Sequence, residues 1–240
     1  MQYSQIVRGI FLSRPNRFVA QVKIGDREHT VHVKNTGRCR ELLLPGTQVL
    51  LEYHPDARAQ GRKTQYSLVA VYKNRGENLP RLLINMDSQA PNQAAREWLE
   101  NGGFKASTGL QPQQIQREVT YGQSRFDLAF QAGGRPAFME VKGVTLEKDG
   151  IAMFPDAPTQ RGVKHLSELA HAAQHGFLAY ILFVIQMKEI RSFCPNREMH
   201  EAFAQTLLQV SRENVKVLAY DCKVTETGFT IDQPVPVTFP

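Results

Sequence analysis

The chain has 240 residues, of which 42% are hydrophobic and 22% charged, with a net charge of +6. That length suits one large domain or two smaller ones, and no run of about 18 apolar residues is present to cross a membrane. Cys39, Cys194 and Cys222 are odd in number and far apart, which argues against a disulfide framework or a thiolate zinc site. The N-terminal segment lacks the apolar core and cleavage pattern of a signal peptide, so a cytoplasmic protein without membrane partners is expected.

The charge is unevenly spread. Residues 1–90 hold 14 Lys/Arg against 7 Asp/Glu, a net of +7, whereas residues 91–240 net −1. A basic first part beside a neutral second part suggests a polyanion-binding module joined to one with another task. In chain order, residues 18–24 alternate apolar and polar with the period of a half-buried strand, and Gly25-Asp26 then turns the chain into "HTVHV". "TQVLLEY" and "YSLVAVYK" follow as further strands. Short strands at near-regular spacing predict a small barrel, and a five-stranded barrel of the OB type fits the length. Between Ala57 and Gly76 lie Arg58, Arg62, Lys63, Lys73 and Arg75 with no acid, and Tyr53, Tyr66 and Tyr72 sit beside them. Basic side chains interleaved with aromatics suit a phosphate-backbone groove.

A polar connection over 78–92 leads to a helix over Gln93–Asn101, with Asn92 as its cap and Gly102-Gly103 as its stop. Strands are then expected at "IQREVTY", "RFDLAF" and "AFMEVK", a helix over 159–175, a central strand at "FLAYILFVI", a helix over 197–212 capped by Asn196, and a strand at "VKVLAYDCK". An antiparallel meander thus runs into a parallel crossover, giving an α/β (α+β) mixed sheet with helices on its faces.

The meander carries the chemistry. If Gly133-Gly134 makes a two-residue hairpin loop, Ala132 faces Arg135 and paired residue numbers sum to 267. Asp127 then faces Glu140 with Cβ atoms about 4.5–5.5 Å apart. Lys142, two residues on, shares the face. Opposed carboxylates repel unless something lies between them, and a divalent cation, Mg²⁺ or Mn²⁺, is the natural occupant. Two carboxylates and a lysine around a hard metal make a phosphodiester-cleaving constellation. Glu118 on the preceding strand can supply a third carboxylate, and Glu97 can approach from the first helix. Downstream, Arg161, Lys164, His165 and Glu168 recur at helical spacing, a stripe able to receive a phosphate. Asp221-Cys222-Lys223 repeats the acid-x-lysine pattern without an opposed acid and reads as a charged strand end. His171 and His175 lie one helical turn apart but lack a third ligand.

Asp127, twelve intervening residues and then Glu140-Val141-Lys142 resemble the PD-(D/E)XK nuclease superfamily. The order helix, three strands, helix, strand is similar to its core. More closely, "NTGR" (35–38), "SRFD" (124–127), "MEVKGVTL" (139–146), "FPDAPTQRGVKHL" (154–166) and the ending "PVPVTF" resemble the bacterial and archaeal sugar fermentation stimulation protein family. The resemblance implies an N-terminal OB-like, DNA-binding barrel over 1–82 and a PD-(D/E)XK nuclease-like αβββαβ domain over 83–240. It implies DNA binding without strong sequence preference and a part in regulating sugar (maltose) utilisation. Metal ligation falls to Asp127, Glu140 and the Val141 carbonyl, and activation of water to Lys142. Arg38, Arg58, Arg62, Lys63, Arg125, Arg161 and Lys164 are the expected nucleic-acid contacts. A metal-dependent DNA nuclease and a non-cleaving DNA-binding regulator both fit. A sugar-metabolic enzyme leaves the basic barrel unexplained, and a homodimer is compatible with the sequence.

Overall fold

The computed structural model describes residues 1–35, 37–76 and 79–239. Thr36 of the 35–38 motif, and Asn78 at the start of the expected connection, lie outside the described residues. Contacts divide the chain into two units. The first comprises Met1–Ala90, Gln186–Lys188 and Cys222–Thr230; the second comprises Pro91–Ile185, Glu189–Asp221 and Ile231–Pro240.

The first unit is a barrel built from β1 (Ile6–Asn16), β2 (Val19–Ile24), β3 (Arg27–Val33), β4 (Gln48–Tyr53) and β5 (Tyr66–Lys73). The strand order β3-β2-β1-β4-β5 closes on itself because β3 pairs in parallel with β5, His32 facing Ser67. Closure removes the exposed edges that an open sheet would present. The inward positions Ala20 and Val22 of β2, Val31 and Val33 of β3 and Val49 and Leu51 of β4 are buried, as alternation dictates. β1 has no clean alternation. Its first half pairs with β4 and its second with β2, and the register against β2 shifts twice between Phe11 and Asn16. Such bulges bend a strand and break the two-residue period. β6 (Leu82–Asn85) adds to β5, so a boundary at 82/83 would cut this strand. Below it, buried Asp87 accepts from Lys34 at 2.8 Å, while Asn85 donates to Tyr3 at 2.7 Å.

In the second unit α1 (Ala90–Glu100) and α2 (Gly103–Thr108) precede the meander of β7 (Gln113–Tyr121), β8 (Ser124–Ala132) and β9 (Arg135–Val144). β10 (Leu146–Lys148), β11 (Ile151–Phe154), α3 (Gln160–Gln174), β12 (Leu178–Ile185), β13 (Ser192–Pro195), α4 (Glu201–Arg212), β14 (Val215–Val224) and β15 (Phe229–Pro234) complete the order. The large sheet runs β15-β14-β12-β9-β8-β7, with β9, β12 and β14 mutually parallel and β7–β9 antiparallel. β12 is buried along all but its first residue, as its unbroken apolar run requires. A separate small sheet, β10-β11-β13, was not expected from the sequence.

Gly102 ends α1 as expected, its left-handed φ of 84° turning the chain, and a second short helix opens at once with Gly103 and buries Phe104 against Trp98 at 5.9 Å. Two local expectations are corrected. Asn92 lies inside α1 rather than capping it, and its amide is used elsewhere, as described below. α4 starts at Glu201 after His200, while Asn196 instead closes the preceding turn by accepting from Met199 N–H.

Candidate active site

Gly133 and Gly134 both have positive φ, 56° and 74°, the backbone that a two-residue type I′ hairpin demands. The turn sets Ala132 opposite Arg135 and Leu128 opposite Met139. The ladder ends at that pair; Asp127 and Glu140 are the next residues on each strand, close enough for the Glu140 charge to act on Asp127. Leu128 and Phe130 are buried opposite Met139 and Ala137, while Phe126 packs on Phe138 and lies near His165, so the alternation of β8 breaks around Asp127.

The charges here are tightly held. Asp127 Oδ2 accepts from the Val141 backbone N–H at 2.8 Å, and Oδ1 accepts from the Asn92 amide at 2.8 Å. Glu140 is 2% exposed. Its Oε1 accepts from Lys142 Nζ at 2.5 Å and is in contact with His165 Nδ1. Arg161 Nε donates to His165 Nε2 at 3.3 Å, so that nitrogen is the acceptor and Nδ1 carries the proton toward Glu140. Both contacts on Glu140 use one oxygen. Oε2 is buried and has no hydrogen-bond partner among the described residues.

The two carboxyls are driven apart. Burial, then the Glu140 charge, pushes Asp127 above the usual carboxylate range, and the Val141, Lys142 and Asn92 contacts only partly offset this. Burial pushes Glu140 upward too, but the His165 hydrogen bond and the charge and hydrogen bond of Lys142 outweigh it and hold Glu140 below its ordinary value. Divergent environments of this kind recur at functional sites.

Glu118 does not join the pair. It has positive φ, lies mostly exposed and faces Arg125 at 3.6 Å. Among the described residues no three His, Cys, Asp or Glu side chains are grouped closely enough to hold an ion. Glu97 accepts from its neighbour Gln93 at 2.9 Å. Of the α3 stripe, Arg161 and Lys164 are exposed and Lys164 donates to the Gln123 carbonyl at 3.1 Å, but His165 turns inward. In the barrel, Arg58 and Lys63 are exposed, whereas half-buried Arg62 donates to Ser67 Oγ at 2.8 Å. Arg38 is exposed as well. Asn92 and His165 are the members of the site that sequence reading did not assign. Their signal was weak: a polar residue early in a helix and a histidine within a basic stripe.

Known proteins resemble both halves. Residues 12–79 match the family described as "SfsA N-terminal OB domain", and residues 89–228 match "Sugar fermentation stimulation protein RE domain". A sugar fermentation stimulation protein homolog of Desulfitobacterium hafniense is 53% identical over 226 residues, covering 94% of this chain and 93% of that protein. A homolog from Alkaliphilus oremlandii is 49% identical across 100% of this chain and 99% of its own. A solved structure described as "The structure of Pyrococcus Furiosus SfsA in complex with Ca2+" aligns with a TM-score of 0.84 at 26% identity, over 99% of this chain and 98% of that one. With both units matched and relatives this similar along nearly the whole length, the chain belongs to the sugar fermentation stimulation family.

Proposed function

We propose that the chain binds DNA without sequence preference and hydrolyses its phosphodiester bonds at the Asp127–Glu140–Lys142 site with a divalent cation, Mg²⁺ or Mn²⁺. The observation that carries this is Glu140 Oε2, a buried carboxylate oxygen left without a partner close to Asp127, on which the Glu140 charge acts. An unpaired buried anionic oxygen is costly unless a cation takes it up. Two carboxylates suffice for Mg²⁺, which keeps several waters and completes its shell with substrate oxygens. The Val141 carbonyl is the expected further ligand. The Pyrococcus furiosus relative was solved with Ca²⁺, another hard cation that takes oxygen ligands, which supports a cation-binding role here.

A bound cation would polarise the scissile phosphate and make its water more acidic. The chain supplies the rest. Asn92 and the Val141 N–H fix the Asp127 carboxylate, and His165 and Lys142 fix that of Glu140, so both point into the site without reorganisation. Lys142, 18% exposed, spends one of its three donors on Glu140 and keeps two to orient a water or hold a phosphate oxygen. Arg161 and Lys164 on α3, with the basic barrel surface, attract the DNA backbone. A cytoplasmic location suits such a substrate, and a homodimer is compatible with it.

Purified protein should nick plasmid or cut single-stranded DNA in Mg²⁺ or Mn²⁺ but not in EDTA, and Asp127→Ala and Lys142→Ala should abolish this while retaining binding. Cleavage surviving both substitutions would refute the site. Binding without cleavage of any substrate would favour the alternative, a non-cleaving regulator of sugar (maltose) utilisation that retains a nuclease fold.

A further inference from the structure

The barrel holds a second charged feature apart from the 57–76 loop. A cavity of about 410 Å³ is lined by Arg14, Arg17, Arg38 and Arg40, with Asn16, and no acidic side chain lines it. Arg14 is its floor. Its guanidinium donates to the carbonyls of Arg17, Asn35, Gly37 and Arg38 at 2.6–2.9 Å, tying the β1–β2 turn to the chain after β3. Arg17, Arg38 and Arg40 remain exposed. Beside them stands Phe18, 49% exposed, the one aromatic among the exposed large hydrophobic residues described. The Arg17 guanidinium lies over its ring, 4.8 Å from the centroid. By contrast, Tyr53 and Tyr66 beside the 57–76 loop pack on each other at 5.2 Å.

Guanidinium groups gathered without a carboxylate repel one another, and an exposed phenyl ring at a turn gains nothing from water. An anion flanked by a flat base answers both. Proteins that hold single strands combine a basic track for the backbone with aromatic rings on which bases stack. Duplex DNA hides its base faces and would use only the arginines.

We infer that the barrel carries a single-stranded DNA site in which Phe18 and Arg17 stack a base while Arg38 and Arg40 take the adjacent phosphates. This rests on the proposed DNA-binding role and adds the strandedness of the ligand and the residues that read it. Phe18→Ala and the double variant R38A/R40A alter exposed side chains only, so their folding is checked by unchanged melting temperature. Fluorescence anisotropy with a labelled 20-nucleotide oligo-dT and with a 20-base-pair duplex, across a salt series, reads the outcome. Phe18→Ala should weaken oligo-dT binding about tenfold, leave the salt slope unchanged and affect the duplex little. R38A/R40A should flatten the oligo-dT slope by about 1.4, at roughly 0.7 per phosphate contact. Wild-type binding of oligo-dT with undiminished binding by Phe18→Ala would overturn the site, as would wild-type binding to duplex alone. If the wild type binds neither probe, the DNA-binding role itself fails, a result distinct from either.

Discussion

Asp127→Asn should stabilise the cation-free protein while removing its response to cations. Asp127 and Glu140 lie just beyond the last pair of the β8–β9 ladder, and the Glu140 charge acts on Asp127. At the spacing of a cross-strand pair, about 5 Å, and an effective dielectric constant of about 20, their repulsion is about 3 kcal/mol. Part is offset by Lys142 and by the charge-assisted bond from Val141 N–H, each worth about 1 kcal/mol in such a half-buried place. The upward shift of Asp127 gives the sign: burial and Glu140 outweigh the favourable contacts, so folding penalises the charged form. Asparagine keeps the shape, still accepts from Val141 and can pair with Asn92 after an amide turn. The expected net gain is about 1 kcal/mol, or about 2–4 °C in melting temperature for a protein of this size. The gain belongs to pH values above the raised Asp127 pKa. It vanishes as pH falls through that value, because the wild type then becomes neutral there too. Thermal melts in EDTA and in Mg²⁺ test this: Mg²⁺ should raise the wild-type midpoint and leave that of the variant unmoved. A lower midpoint for the variant in EDTA at neutral pH, or equal Mg²⁺ stabilisation of both proteins, would refute the opposed-carboxylate reasoning.

Other expectations concern the supports of the site and the barrel. His165→Leu deletes a hydrogen bond to a buried carboxylate and should cost about 1.5–3 kcal/mol by urea denaturation. Glu140, now less depressed, contributes stability that is present above its unfolded pKa and lost as pH falls through its folded pKa; that loss should begin at higher pH in the variant. Gly103→Ala would set a Cβ 2.1 Å from the Trp98 ring, which packs on Tyr220 at 4.9 Å, so a loss of about 1–3 kcal/mol should appear as a lowered melting temperature. R58A/K63A should reduce the salt slope of duplex binding by about 1.8, at roughly 0.9 per contact, without destabilising the barrel. An unchanged slope would remove that loop from the DNA surface.

The hairpin was legible because a Gly-Gly turn fixes its own register, and the pairs from Ala132–Arg135 to Leu128–Met139 follow by counting. Strands with one constant partner layer, such as β2 and β12, were equally plain. β1 was not, because it changes partner midway and bulges, so no single period runs through it. The short strands β10, β11 and β13 hold too few residues for periodicity to register, and the short helix α2 was missed because the tight approach of Gly103 to Trp98 that seats it is a tertiary fact. At the site, the sequence reading grouped Asp127, Glu140 and Lys142, but Glu118, at a positive φ, lies exposed against Arg125. His165 and Asn92 come from helices whose rotation against the sheet is set by packing, which no local pattern encodes.

The central claim is that Asp127 and Glu140 Oε2 hold a divalent cation. Anomalous diffraction from crystals grown with Mn²⁺ tests it most directly. A peak bonded to both carboxylates, absent from Asp127→Ala crystals, is the predicted result. A well-ordered site with no peak there, or a peak that persists in Asp127→Ala, would contradict it.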